Sequence, residues 1–157
     1  MSNNDVQIVK LERMRLASLW GFGPSPENEA WAKLNAWAEP KGLLNDLENH
    51  PIFGFNNPNP SAGSPNYGYE LWIKVDCDTL PEGEARLVDF DGGLYAVKRC
   101  PVPKGQFEVI GQTWQKLVTW CEDSPYKQAT HQWLEKSVAT DDPELEFVLD
   151  LYLPIAE

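Results

Sequence analysis

The chain has 157 residues and sets 13 Lys plus Arg against 24 Asp plus Glu, a formal charge of −11. Bare nucleic-acid binding draws its affinity from clustered Lys and Arg, and no five-residue window here holds more than two basic residues, so direct binding to a polyanion is not expected. At 42% hydrophobic and 11% aromatic residues, the composition suits one folded core rather than disorder.

In chain order, Val6 to Trp20 is β-prone with a break near Glu12-Arg13, and the stretch from Gly21 to Pro24 interrupts it. Pro26 to Trp37 reads as a helix. Ser25 is a candidate N-cap, Pro26 suits the first helical position, and Glu27 and Glu29 complement the dipole of the first turn. Ala30, Trp31, Leu34 and Trp37 follow at helical spacing, and Pro40 and Gly42 end the segment. Ile52 to Phe55 is a short strand, Asn56 to Asn66 is a loop of turn-forming residues, and Tyr69 to Val75 is a strand. Ala85 to Phe90 and Leu94 to Arg99, joined by Asp91-Gly92-Gly93, read as a hairpin. A helix from about Phe107 to Cys121 places Val109, Ile110, Trp114, Leu117, Val118 and Cys121 on one face. Trp133 to Ser137 and Phe147 to Leu153 are the last strands, separated by the acidic turn Asp141 to Glu144.

The order repeats. Trp31-Ala-Lys-Leu-Asn-Ala-Trp37 and Trp114-Gln-Lys-Leu-Val-Thr-Trp120 share the pattern W-x-K-L-x-x-W at a displacement of 83 residues. Ala17 and Ala96, His50 and His131, and Glu70 and Asp150 fall at displacements of 79, 81 and 80. Two β-α-β-β units, about 6–75 and 85–155, are therefore expected to form an α+β fold within a single domain, residues 1–157: an antiparallel sheet with two main helices on one face. In each helix the Trp, Leu and Trp of the motif are expected to pack on the sheet, and Lys33 and Lys116 to stand in solvent.

Few catalytic signatures survive inspection. The chain has no Gly-x-Ser-x-Gly elbow, no Walker loop and no His-Glu-x-x-His, and Gly21 to Pro24 lacks the third glycine of a dinucleotide fingerprint. Asp89 to Gly92 lacks the ligand spacing of a calcium loop. His50 and His131 sit at equivalent points of the repeat, which favours a shared structural role over a metal site, so neither metal nor cofactor is expected. Cys77, Cys100 and Cys121 are odd in number and widely spaced, which suits reduced packing residues better than disulfides or zinc ligands. No apolar run approaches the roughly 20 residues of a membrane span, and the N-terminus lacks a signal-peptide core, so a cytoplasmic protein without membrane contact is expected.

Strand alternation yields the most informative pattern. Leu71, Ile73 and Val75 share one face of their strand, as do Leu149, Leu151 and Leu153, and these faces should lie under the helices. Glu70 with Trp72, and Asp150 with Tyr152, then take the opposite face. A solvated outer face would explain either pair alone. Their repetition, together with Glu135 beside Trp133 on a neighbouring strand, leaves room for a ligand cleft between the repeats.

The segment Asp91-Gly-Gly-Leu-Tyr-Ala-Val97, the Trp-containing helix, the strand Trp133-Leu-Glu135 and the closing Leu149-Asp-Leu-Tyr-Leu-Pro-Ile155 resemble the GyrI-like effector-binding family. That family includes ligand-binding domains of multidrug-sensing and AraC-type regulators and free-standing proteins. The resemblance implies a cleft that holds lipophilic cations against aromatic rings, with a buried glutamate as charge partner. By motif position that glutamate corresponds to Glu135, and Asp150, Tyr152, Trp133 and Tyr95 join the ligand-contacting set. Glu70 and Trp72 follow by repeat symmetry. Ring faces attract a delocalised cation by roughly 0.5–2 kcal/mol each. Regulators of the family carry a basic helix-turn-helix domain that this sequence lacks, so regulation would act through a protein partner, a regulator or gyrase. The resemblance leaves three functions open: a stand-alone module for hydrophobic cationic small molecules, a hydrolase of cyclopropane-containing DNA-alkylating compounds using Glu135, and a gyrase-inhibiting interaction module.

Overall fold

The structure is a computed structural model that describes residues 6–157 apart from 58, 60, 81, 82 and 84. Residues 1–5 of the N-terminal stretch, and positions 58 and 60 of the expected Asn56–Asn66 loop, lie outside the described residues. The elements in chain order are β1 (Gln7–Leu11), β2 (Met14–Gly23), α1 (Pro26–Ala38), β3 (Ile52–Asn56), β4 (Tyr67–Val75), β5 (Arg86–Phe90), β6 (Gly93–Pro103), α2 (Glu108–Glu122), β7 (Lys127–Gln128), β8 (Leu134–Val138) and β9 (Leu145–Ala156). Short 3-10 turns at Glu39–Lys41 and Leu43–Asn45 follow α1.

The chain forms two compact units. One is Arg13–Asp91; the other joins the residues up to Glu12 to Gly92–Glu157. In the first unit the antiparallel strand order is β3-β4-β2-β5. In the second it is β1-β6-β9-β8, with β7 on β9. The units share the order strand, helix and two further strands (β2-α1-β3-β4 and β6-α2-β8-β9), which is the expected α+β order, with β5 added to the first and β1 and β7 to the second. The boundaries differ from 6–75 and 85–155, because β1 pairs with β6 and β5 pairs with β2.

The same pairings correct the hairpin expected over Ala85–Arg99, since its two arms belong to different units. Asp91-Gly92-Gly93 carries the chemistry of a tight turn, yet the glycines answer a different constraint. Gly92 has φ of 81°, and a Cβ there would lie 2.2 Å from Leu11 O, while one on Gly93 would lie 2.7 Å from the His131 ring. Crowding at the end of β1 selects glycine here. A second departure is at Gly21, where β2 runs on to Gly23 instead of stopping. A Cβ on Gly21 would lie 2.4 Å from Pro26 O, so this glycine lets α1 cross close above the strand.

The cores follow the alternation. Ala17 and Leu19 of β2 and Leu71, Ile73 and Val75 of β4 pack with Ala30, Leu34 and Trp37 of α1. In the second unit Ala96, Cys100 and Val102 of β6 and Leu151, Leu153 and Ile155 of β9 pack with Leu117 and Cys121 of α2. Trp31, Trp114 and Trp120 pack at the margins of these clusters. Cys100 and Cys121 are buried as expected, whereas Cys77, just past β4, is exposed and is not a packing residue.

Ser25 occupies the N-cap of α1 with Pro26 in the first turn, but its side chain makes no capping bond. The helix start is instead tied to β4 by Tyr67, whose hydroxyl donates to both Glu27 carboxylate oxygens at 2.9 and 2.8 Å. His50 and His131 play parallel roles: His50 Nδ1 meets Lys74 O and His131 Nε2 meets Leu94 O, each at 2.8 Å.

Two outcomes test this account. Leu34 and Leu117 are repeat equivalents with no exposed surface, so Leu34→Ala and Leu117→Ala should each destabilise the protein by about 2–5 kcal/mol in urea unfolding; a loss well under 1 kcal/mol in either would remove that leucine from the core. Burial, reinforced by the Glu27 carboxylate, pushes the Tyr67 hydroxyl up to about 12. A folded-state value above the unfolded one means stability is full below about pH 10 and is lost as pH rises towards 12. Denaturation midpoints across that window should fall less in Tyr67→Phe than in the parent; identical profiles would show that Tyr67 contributes nothing to the decline.

Candidate functional site

Residues directly opposite in an antiparallel pair share a face, so the strand registers sort the candidate side chains. In the first unit Trp20 is opposite Glu70 and Ser18 opposite Trp72 on β4, while Phe55 and Phe53 face the same two residues from β3. Arg86 of β5 is opposite Ser18. This face lies away from α1, and its centre is buried rather than solvated. Glu70 is 3% exposed, Trp72 7%, Ser18 4% and Phe53 2%. Trp72 meets Phe55 edge-on with centroids 4.8 Å apart and Phe90 at 5.3 Å.

A buried carboxylate is costly unless its lone pairs are occupied. Around Glu70, Oε2 accepts from Ser18 Oγ at 2.5 Å, from Trp72 Nε1 at 2.8 Å and from Arg86 Nη2 at 3.4 Å. Oε1 accepts from Asn57 Nδ2 at 2.9 Å. The carboxylate borders a cavity of about 340 Å3 lined by Ser18, Trp20, Lys33, Asn57, Glu70 and Arg86. Trp20 is 46% exposed, stacks on Phe22 with centroids 5.6 Å apart, and donates from Nε1 to Asn57 O at 2.6 Å. Lys33 does not stand free in solvent: its Nζ donates to Trp20 O at 2.9 Å and pairs with Glu29 at 3.2 Å. The Phe22 N–H and then Lys33 hold the Glu29 carboxyl below its usual range.

In the second unit Asp150 and Tyr152 of β9 share a face with Arg99 and Val97 of β6. Arg99 grips Asp150 with two bonds, Nε to Oδ1 at 2.8 Å and Nη2 to Oδ2 at 3.1 Å. Tyr152 is buried against Tyr95, ring centroids 5.5 Å apart, and burial followed by the Asp150 charge raises its pKa. Tyr95 has no exposed surface and its hydroxyl donates to Gln132 O at 2.5 Å, so it offers no area to a ligand in this conformation.

Glu135 is placed differently from the expectation. It is opposite Leu151, whereas Leu134 is opposite Tyr152 and Lys136 opposite Asp150. Leu151 belongs to the core beneath α2. Glu135 therefore points to the helix-covered face, as does Trp133, which packs on Trp114 of α2 with centroids 5.0 Å apart. Glu135 also contributes, after burial, to raising the Cys100 thiol pKa from that same side. Trp133 and Glu135 do share a face, but it is the one opposite to Asp150 and Tyr152.

The sequence profile of the GyrI-like small molecule binding domain matches residues 4–156. The chain belongs to the GyrI-like family. Several solved structures have a similar fold. A hydrolase from Listeria innocua is 12% identical with a TM-score of 0.63, covering 97% of this chain and 92% of that one. The EcmrR C-terminal domain is 13% identical with a TM-score of 0.64 and 97% coverage of both chains. SAV2435 bound to tetraphenylphosphonium is 11% identical with a TM-score of 0.55, covering 96% of this chain and 93% of that one. No curated protein sequence matches.

Of the expected site residues in this GyrI-like chain, Glu70 and Trp72 are brought together, as are Asp150, Tyr152 and Tyr95, while Glu135 and Trp133 lie on the helix side of their own unit. Ser18, Trp20, Lys33, Asn57 and Arg86 were not expected at a site. The alternation of Met14 to Gly23 carries the signal for Ser18 and Trp20; Asn57 and Arg86 arrive through non-local pairings that no local pattern announces. Among the described residues no group of three His, Cys, Asp or Glu is placed to hold a metal ion, and no helix is long and apolar enough to cross a membrane.

Removing a donor from a buried carboxylate leaves part of its desolvation unmet. Ser18→Ala should lower stability by about 1–3 kcal/mol in urea unfolding, and Ser18→Ala combined with Glu70→Leu should show much less than the sum of the single losses. Additive losses would mean that Ser18 and Glu70 do not support one another.

Proposed function

We propose that this GyrI-like domain binds hydrophobic cationic small molecules at the Glu70 cavity of the first unit. The observation that carries the reading is a carboxylate with 3% exposure set on a cavity of about 340 Å3. That volume falls within the roughly 300–1,000 Å3 range of small-molecule sites. Trp20, half-exposed and stacked on Phe22, supplies ring area on the same cavity. Trp72, with Phe55 and Phe90 against it, backs the carboxylate with apolar bulk.

A diffuse organic cation fits this combination because it is cheap to desolvate and attracted to ring faces. A compact, strongly hydrated cation gains less from Trp20 and loses more water. The tetraphenylphosphonium held by SAV2435 is a ligand of the favoured kind and supports the choice of probe. Any role in transcription would then pass through a protein partner that senses the occupied domain; EcmrR, whose C-terminal domain has a similar fold, is known in a complex with DNA.

Titrating tetraphenylphosphonium while following tryptophan emission tests the reading. Saturable quenching is expected, weakened at least tenfold by Glu70→Gln and by replacing the probe with neutral triphenylphosphine oxide. Binding that ignores both changes would take the charge-partner role from Glu70. Glu135→Gln and Asp150→Asn run alongside as the other two carboxylates the sequence singles out.

A further inference from the structure

The two units place a carboxylate at the same point of the repeat, Glu70 and Asp150, and give each a guanidinium, but the two ion pairs are built differently. Arg99 comes from β6, directly opposite Asp150, and closes on it with two bonds of 2.8 and 3.1 Å. The residue directly opposite Glu70 on β2 is Trp20, which brings no charge. The cation comes instead from β5, one strand further out, where Arg86 reaches Oε2 with a single contact of 3.4 Å while its side chain is 73% exposed. Glu70 already accepts shorter bonds from Ser18, Trp72 and Asn57, so releasing Arg86 leaves the buried carboxylate with three neutral donors in place.

We propose that Arg86 is a resident counter-cation that occupies Glu70 while the cavity is empty and is displaced by the incoming ligand. The inference rests on the reading that a cation binds at Glu70, and it adds the residue that sets the threshold for doing so. A tethered guanidinium competes at high effective concentration, and the apparent affinity for any cation is scaled by the fraction of molecules in which Arg86 has swung away. Charge alone does not overcome that competition efficiently, because the ligand's charge replaces one already present. Arg86 therefore raises the threshold for every cation by the same factor, and a ligand with added apolar contact to Trp20 is the kind that clears it.

The groups facing Arg86 in the cavity define what it does when released. Lys33 lines the same cavity and is paired with Glu29, so Glu29 is already engaged. The exposed arginine turns to solvent, where an isolated charge is well solvated.

The test is a cycle of four proteins: the parent, Arg86→Ala, Glu70→Gln and the double variant. Each is titrated with tetraphenylphosphonium and with tetraethylammonium. Removal of Arg86 should tighten both probes by the same factor, about two- to fivefold for an ion pair this exposed, and should change nothing in the Glu70→Gln background. A parent that binds neither probe while Arg86→Ala binds them also supports the inference. If the parent binds with Glu70 dependence and Arg86→Ala does not tighten, or tightens equally without Glu70, the counter-cation role is overturned while the Glu70 site stands. If no protein in the cycle binds either probe, the Glu70 reading falls and this inference falls with it.

Discussion

A carboxylate held almost out of contact with water dictates much of the first unit. Glu70 sits on a central strand whose other face is already occupied by Leu71, Ile73 and Val75 beneath α1, and whereas Lys74 further along its own face is exposed, Glu70 is buried. Desolvation has to be offset locally, and it is offset by donors from three places: a hydroxyl on β2, an indole two residues along β4 and an amide from the turn after β3. Each donor is fixed in turn. Trp72 is held between Phe55 and Phe90, and the Asn57 carbonyl is pinned by Trp20. The cavity is bounded by this network, so its shape and its charge have one origin.

The repeat shows how one inherited position diverges. Where Arg99 stands on β6, the corresponding position on β2 is Trp20, and that single difference decides whether the carboxylate is closed by its cross-strand neighbour or left beside a ring. In the second unit a bidentate pair fills the place a ligand charge would take, and burial of Tyr95 and Tyr152 completes a packed face. In the first unit the indole of Trp20 leans over Asn57 and leaves space. The pseudo-symmetry is therefore one of backbone and core, while the chemistry on the non-helical faces is asymmetric.

Element types and the two cores were legible because the helix period and strand alternation are strong in this chain: the W-x-K-L-x-x-W helices and the Leu71–Val75 and Leu149–Leu153 faces lie where the patterns placed them. Partnership between strands was not legible. The Asp91-Gly-Gly turn carries local hairpin chemistry, yet β1 and the β5 segment are claimed by partners far along the chain, and no local pattern encodes that competition. The phase of β8 failed for a related reason. Alternation says that Trp133 and Glu135 share a face, but only pairing with β9 says which, and there Glu135 meets Leu151. Glu70 was legible as a ligand-facing candidate through the repeat, though not as a buried one, whereas Arg86 depended on the β2–β5 pairing and was invisible beforehand.

The hydrogen bonds around Glu70 bear on whether the cavity is built for holding or for turnover. Two carboxylate oxygens offer about four lone-pair directions, and among the described residues four donors address them: Ser18, Trp72 and Arg86 at Oε2 and Asn57 at Oε1. A general base for hydrolysis has to accept a proton from a positioned water within hydrogen-bond reach. Of these donors the one held most loosely is Arg86, at 3.4 Å. If a cation takes the place of Arg86 as proposed, the carboxylate is committed to charge pairing, which favours retention of an intact cation over attack by water. A hydrolase built on this frame would need a ligand that is neutral where it meets Glu70, so the charge of the ligand decides which chemistry the cavity supports.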